Sequence, residues 1–225
     1  MRIIIRIGGS VIASPLNPKI IREYAKIIQT LINLRHEVAV VVGGGSVSRE
    51  FIKIAKEAGL NEEGQDEIAI SISRIIAQIL AIRLGGHEWR RIPTTIEEAT
   101  EIFNKEGLVI LGGLKPGMTT DTVAALLASK IKADLIIKAT DQEGIFTKDP
   151  KRYSNAKKID ELRFNELKRF LKEKRHKAGI HQIIDPTAIK ILQEIRTQTI
   201  VLNGFNPENI LKAINGEKIG TIIKE

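Results

Sequence analysis

Short apolar runs ending in glycine alternate along the chain with longer stretches in which apolar residues return every three or four positions. Arg2-Ile3-Ile4-Ile5-Arg6-Ile7 is β-branched and stops at Gly8-Gly9-Ser10, the pattern of a buried strand running into a turn. Asn17-Pro18 then supplies a capping side chain and a ring pre-set for the first helical turn. Behind it Ile20, Ile21, Tyr24, Ile27, Ile28, Leu31 and Ile32 form one apolar stripe. Val38-Ala39-Val40-Val41-Val42 makes a second strand, ending in Gly43-Gly44-Gly45. Strand, helix and strand in succession predict a βαβ unit, hence parallel strands joined by a right-handed crossover.

The alternation persists. A helical stretch follows the glycine triplet, and residues 68–84 read as an almost wholly apolar helix closed by Gly85-Gly86, suited to a core or a subunit contact. Leu108-Val109-Ile110-Leu111 is a strand ending in Gly112-Gly113, residues 121–131 an Ala-rich helix, and Leu135-Ile136-Ile137 a further strand. Asp185-Pro186 and Asn206-Pro207 repeat the Asx-Pro start signal for two late helices, and residues 199–202 and 221–223 read as closing strands. With no repeat, low-complexity tract or linker, the expectation is one α/β domain over residues 1–225, with two lobes.

Composition narrows the chemistry. The 225 residues are 43% hydrophobic and 28% charged, which excludes a disordered or fibrous chain. A formal charge of +8 suits an anionic ligand such as a nucleotide or phosphate, and zero cysteines exclude a disulfide framework and a thiolate nucleophile. Met1-Arg2 leads directly into a strand-like run, and no segment approaches the roughly 18–20 continuous apolar residues of a membrane span. The expectation is therefore a cytoplasmic protein without a membrane partner. Abundant Ile and Lys beside a single Trp match heat-adapted compositions.

Three predicted strands end in glycine-rich turns. In an open parallel sheet ligands bind outside the carboxyl ends of the strands, and such turns let backbone N–H groups approach a phosphate. A multi-phosphate site is the favoured reading. Neither G-x-G-x-x-G nor G-x-x-x-x-G-K-[ST] occurs, so the dinucleotide fingerprint and the P-loop are both excluded.

Four blocks then occur in order: Arg6 to Ser10; Val41 to Gly45 with Arg49; Gly112-Gly113 through Pro116-Gly117-Met118-Thr119-Thr120-Asp121; and Lys138-Ala139-Thr140 through Gly144-Ile145-Phe146-Thr147-Lys148-Asp149-Pro150. Together they resemble the amino-acid kinase superfamily and, within it, the archaeal-type uridylate (UMP) kinases, over essentially the whole chain. The resemblance implies a three-layer αβα sandwich around a mostly parallel sheet, with an acceptor-binding N-terminal half and an ATP-binding C-terminal half. It implies transfer of the γ-phosphoryl of ATP to UMP, in pyrimidine nucleotide biosynthesis. By position, Gly9, Ser10, Gly45 and Arg49 would hold the ATP phosphates, and Thr140, Phe146 and Asp149 the nucleoside end. Gly44, Asp66, Leu114, Lys115, Pro116, Gly117, Met118, Thr119 and Thr120 would hold UMP. Arg6 and Asp121 would serve catalysis. Mg²⁺ would enter with ATP, with no protein metal site, and the assembly would be a homohexamer built as a trimer of dimers.

Residue chemistry agrees with these roles. Arg49 is a planar multidentate donor suited to phosphate, Asp66 an acceptor suited to ribose hydroxyls, and Thr119 and Thr120 both donate and accept against a uracil edge. Two positions depart from the family pattern: Arg6 stands where Lys is common, and Asp141-Gln142-Glu143-Gly144 where an Asn-Val-Asp-Gly-like run is. His36, His87, His176 and His181 lack metal-binding spacing. The basic residues Lys168, Arg169, Lys172, Lys174, Arg175 and Lys177 read as the solvated side of an amphipathic helix, with Leu162, Leu167, Phe170 and Leu171 inward. Together with aromatics at 4%, this leaves no nucleic-acid partner expected. The alternatives are a sister kinase of the same fold acting on another small acceptor, such as isopentenyl phosphate, and a non-catalytic nucleotide-binding protein.

Overall fold

Alternating inward and outward side chains on its strands divide the protein into two cores, one on each side of a central sheet. The computed structural model describes residues 1–85, 91–167 and 183–225. In chain order its elements are β1 (Arg2–Ile7), α1 (Gly9–Ile12), α2 (Pro18–Asn33), β2 (Glu37–Val42), α3 (Gly45–Glu57), α4 (Glu62–Gly85), α5 (Ile96–Glu106), β3 (Leu108–Leu111) and α6 (Thr120–Ile131). There follow β4 (Leu135–Thr140), β5 (Ile145–Phe146), β6 (Lys158–Ile159), β7 (Glu161–Arg163), α7 (Pro186–Ile195), β8 (Gln198–Asn203), α8 (Glu208–Ile214) and β9 (Thr221–Lys224).

Seven strands form the sheet in the order β3-β2-β1-β4-β8-β9-β7, and β5 and β6 form a separate antiparallel pair. Among the described residues, only the β8–β9 pair is antiparallel within the sheet. Ile3, Ile5 and Ile7 of β1, with Val38, Val40 and Val42 of β2, join the core under α2, α4 and α8. Ile4, Ala39 and Val41 enter the opposite core under α5, α6 and α7. Such two-sided burial is why these strands read as continuous apolar runs rather than as alternating ones. The result is the expected three-layer arrangement with a mostly parallel sheet.

The Asn17 side chain accepts from Lys19 N and starts α2, whose stripe buries Ile20, Ile21, Tyr24, Ile27, Ile28 and Leu31. Buried Tyr24 donates its hydroxyl to Gly204 O at 2.8 Å, and burial pushes its pKa above the ordinary phenol range. Asp185 caps α7 as its Asx-Pro signal predicts. The second signal is displaced: α8 begins at Glu208, with Pro207 in the cap position and no side-chain cap.

Two other expectations change. The apolar helix starts earlier, at Glu62, and over its 24 residues is long and apolar enough by length and composition to cross a bilayer, although no such segment was expected. Here Ile70, Ile72, Ile76, Ala77, Leu80 and Ala81 are buried, while Ile75, Ile79 and Ile82 stay exposed on one face. Leu162, read as part of an amphipathic helix, is a buried residue of β7, and Leu167 is buried too. The rest of that reading, Lys168 to Lys177 with Phe170 and Leu171, lies outside the described residues, as do His87, His176 and His181.

Candidate active site

Two cations occupy neighbouring strands where apolar residues would otherwise complete the second core. Arg6 of β1 and Lys138 of β4 are register partners in the parallel ladder. Between them stands Asp121 of α6, whose carboxylate receives both oxygens' hydrogen bonds from Lys138 Nζ. Arg6 Nε lies 2.8 Å from Asp121 Oδ1 in an ion pair that lacks hydrogen-bond alignment, and Arg6 Nη2 donates to Thr120 Oγ1 at 2.9 Å. All three side chains are largely buried.

Burial and the Arg6 charge together push the Lys138 ammonium down to about 8, against the pull of Asp121. Burial raises the Asp121 carboxyl, but the Arg6 and Lys138 charges outweigh it and hold its pKa below the ordinary range. Lys138 had no role in the sequence reading. A lysine inside the apolar run Leu135-Ile136-Ile137-Lys138-Ala139 was the available signal, because Lys is almost never fully buried unless paired.

Beside this cluster opens a cavity of about 350 Å³, large enough for a small-molecule ligand. Of the predicted acceptor residues, Gly44, Asp66, Lys115, Gly117, Met118, Thr119 and Thr120 line it. Leu114 and Pro116 do not. Leu114 packs against the second core. Four residues the sequence reading missed, Ser48, Ala69, Ile70 and Ser73, complete the wall together with Gly113 of the turn after β3.

The loop between β3 and α6 hangs from α4. Asp66 Oδ2 accepts from Gly117 N at 2.8 Å, and Ser73 Oγ accepts from Gly113 N at 2.8 Å. Arg74 donates to Gly113 O at 2.9 Å and to Leu114 O at 2.8 Å. At its far end Thr119 caps α6, accepting from Thr122 N, and donates its hydroxyl to Asp185 Oδ2 at 2.6 Å. Asp185 accepts as well from Thr122 Oγ1, Thr187 N and Ala188 N. The sequence showed Asp185 only as a helix cap.

The glycine turns after β1 and β2 pack on each other. A Cβ on Gly9 would fall 2.1 Å from Gly45 N, and one on Gly45, at φ +61°, 2.2 Å from Gly9 O. Their smallness is required by this backbone-on-backbone contact. The remaining residues expected to hold ATP lie in different settings. Ser10 is half-buried in α1, and Arg49 projects from α3, exposed and without a hydrogen bond or ion pair among the described residues. Thr140 ends β4 and Phe146 is half-buried in β5. Buried Asp149 spends its carboxylate on Lys151 N and on Arg152, tightening a turn. At the departing run, Glu143 accepts from Asn203 Nδ2 at 2.6 Å, and Asp141 pairs with Lys151 at 2.8 Å.

The amino acid kinase family model matches residues 1–203. The uridylate kinase of Methanocaldococcus jannaschii is 40% identical over all of both chains, and that of Methanobrevibacter smithii is 38% identical over 98% of each. The crystal structure of uridylate kinase from Archaeoglobus fulgidus superposes with a TM-score of 0.87 at 37% identity, covering 99% of this chain and all of that one.

Proposed function

This chain belongs to the amino acid kinase family, and from that premise we propose that it is a uridylate kinase, moving the γ-phosphoryl of ATP to UMP to give UDP and ADP. The observation that carries the reading is end-to-end similarity to relatives of that name. The cavity between α4 and the β3–α6 loop is the acceptor site in this reading, with Gly44, Asp66, Lys115, Gly117, Met118, Thr119 and Thr120 around UMP. Leu114 and Pro116 shape the loop rather than touch the ligand. ATP lies along Gly9, Ser10, Gly45 and Arg49 toward Thr140, Phe146 and Asp149. In this reading the C-terminal half binds the nucleoside end of ATP, while the N-terminal half binds the acceptor and holds the ATP phosphates.

A phosphate oxygen of UMP attacks the γ-phosphorus, and the bond to the β-phosphate oxygen breaks to release ADP. The attacking oxygen is already anionic, so no side chain need remove a proton. What remains for the protein is positioning and electrostatic stabilisation. Arg6, Lys138 and Asp121 carry a net charge of +1 near the strand ends, with Asp121 paired to both cations. Mg²⁺ enters with ATP. Asp121 is engaged by two cations, and no cluster of three His, Cys, Asp or Glu residues that could hold a metal occurs among the described residues. The ion would be held largely by phosphate oxygens and water, in keeping with its reluctance to dehydrate.

We place the enzyme in the cytoplasm, in pyrimidine nucleotide synthesis of a heat-adapted archaeon, as a homohexamer built as a trimer of dimers. The exposed Ile75, Ile79 and Ile82 of α4 suit a subunit contact. Sedimentation gives the assembly directly, and a monomer would overturn that part.

The test of activity is a coupled ADP-release assay with Mg·ATP and a panel of UMP, CMP, dUMP, acetylglutamate, aspartate and isopentenyl phosphate. Turnover with UMP is expected. Turnover confined to another acceptor would move the substrate, and silence from folded protein would reject the kinase.

A further inference from the structure

The glycine turns after β1 and β2 touch backbone to backbone at Gly9 and Gly45, a van der Waals contact with no preferred direction. The directed links between the two turns run through the segment that follows α1. Ser46 N donates to Ala13 O at 2.9 Å, and Ser46 Oγ donates to the same oxygen at 3.1 Å. Ser14 adds two more. Its hydroxyl accepts from Ser46 N at 2.6 Å and donates to Gly9 O at 3.1 Å, so one side chain is bonded to both turns at once.

The start of α3 explains why that side chain is needed. A helix leaves its first N–H groups without acceptors, and a side chain at the N-cap ordinarily takes one of them. Here the N-cap is Gly44, which has no side chain to offer, and a Cβ there would collide with the Ser48 side chain. Ser14, 32 residues earlier, therefore caps α3 from another segment by accepting from its second N–H group. Ala13 O takes the third, from Val47 N at 3.3 Å. The N–H groups of Gly44 and Gly45 are left at the turn with no backbone acceptor among the described residues, and those of Gly9 and Ser10 are open in the same way.

We propose that Ser14 is a positioning residue for phosphoryl transfer: by capping α3 while holding Gly9 O, its hydroxyl fixes the spacing of the two turns that take the ATP phosphates. The inference rests on the uridylate kinase reading, with ATP along Gly9, Ser10 and Gly45, and deepens it. Ser14 does not itself reach the phosphates. It bonds Gly9 O, which faces along α1 and also accepts from Ala13 N, whereas the N–H groups of that turn face the opposite way. Beside Ser14 lies a separate cavity of about 230 Å³, bordered by Asn17, Lys19 and Phe205, which shares no lining residue with the acceptor cavity. Backbone donors cannot adjust one at a time, so a turn that slips displaces all of its N–H groups together and loses the aligned geometry on which transfer depends.

The experiment compares Ser14→Thr with Ser14→Val, which differ by a hydroxyl against a methyl group of the same shape, and the neighbouring cavity has room for the added carbons. Ser14→Ala removes the hydroxyl without adding bulk. For the full chain of each, kcat and KM are measured for ATP and for UMP, with calorimetric titrations of Mg·ATP alone and of UMP alone. The links through Ala13 O remain, so the variants should fold. Ser14→Ala and Ser14→Val should melt about 2–4 °C lower, the scale of one lost cap in a chain of this length. In both, KM and Kd for ATP should rise about tenfold, short of the 10²-fold that a full ångström of misplacement costs. UMP should lose much less, because α4 and the β3–α6 loop form most of its wall, and Ser14→Thr should restore ATP to near the wild-type values. Unchanged ATP constants in Ser14→Ala and Ser14→Val, UMP losses as large as those for ATP, or a Ser14→Thr that behaves like Ser14→Val would each make Ser14 a structural cap only and overturn the proposal. Wild-type protein that binds no ATP would reject the placement of ATP and this inference with it. ATP binding without UMP turnover would instead reject the activity alone, and the titrations would still decide the role of Ser14.

Discussion

Arg6 and Lys138 stand opposite each other in the β1–β4 register, two cations on adjacent strands balanced by the single carboxylate of Asp121. Their pairing follows from strand geometry. Successive residues of a strand point to opposite faces, so Arg6 shares the face of Ile4, and Lys138 that of Ile136, toward α6.

Lys138 makes activity and stability respond to pH in opposite directions. With its ammonium at about 8 in the folded chain, the triad falls from +1 to neutral as pH rises through that value. Phosphoryl transfer is expected to lose rate there, and Lys138→Arg to move the alkaline limb upward. The unfolded chain keeps its proton to the ordinary lysine value of 10.5. Between about 8 and 10.5 the unfolded state binds more protons, so this group's contribution to stability rises with pH. Rate profiles and urea melts across that window check both signs, and a rate limb unmoved in Lys138→Arg would remove Lys138 from the mechanism.

Asp121→Asn leaves two largely buried cations facing each other without a counter-charge. Breaking a buried pair by removing one partner costs about 3–5 kcal/mol. We expect a loss of that size in urea unfolding. The double variant Asp121→Asn with Lys138→Met should recover part of it.

Arg49 is exposed and makes no hydrogen bond or ion pair among the described residues, so Arg49→Ala should leave the melting temperature unchanged. If its fork engages phosphate, kcat/KM should fall on the order of 10²-fold, as for other single donors to developing charge. Kinetics like those of wild type would place the phosphates elsewhere.

Gly45→Ala tests the contact between the two glycine turns. Its φ of +61° disfavours a side chain, and the added carbon would meet Gly9 O and Ala13 O. Left-handed backbone strain alone costs about 1–3 kcal/mol. Thermal melts should show at least that loss, whereas Gly117→Ala, with open space around its Cβ, should show the backbone part only.

Much of the fold was readable because its strands are short, apolar and punctuated by glycine. β1, β2 and β3 match their apolar runs closely. α5 was not read from the chain. Its buried side is only Ala99 and Phe103, too sparse for a helical stripe, and its start depends on Thr95 accepting from Glu98 N. The β5–β6 pair escaped notice because two-residue strands carry no periodicity.

The site divides the same way. The β3–α6 loop and its glycines were visible because they form one contiguous block, and most of it lines the cavity. Ser73, Arg74 and Asp185 were not visible, since each acts on a loop dozens of positions away.

Sequence alone determined most of the strand-forming runs, the starts of α2 and α7 and which residue types gather at the strand ends. These are local matters of periodicity, capping and backbone freedom. Only the tertiary structure decided that Lys138 is buried against Asp121, that Gly9 needs its smallness for Gly45, and which way the Thr119 proton points. Each of these depends on a partner distant along the chain, 66 residues for Thr119 and Asp185. A hydroxyl that both donates and accepts takes its direction from whichever charge folding sets beside it.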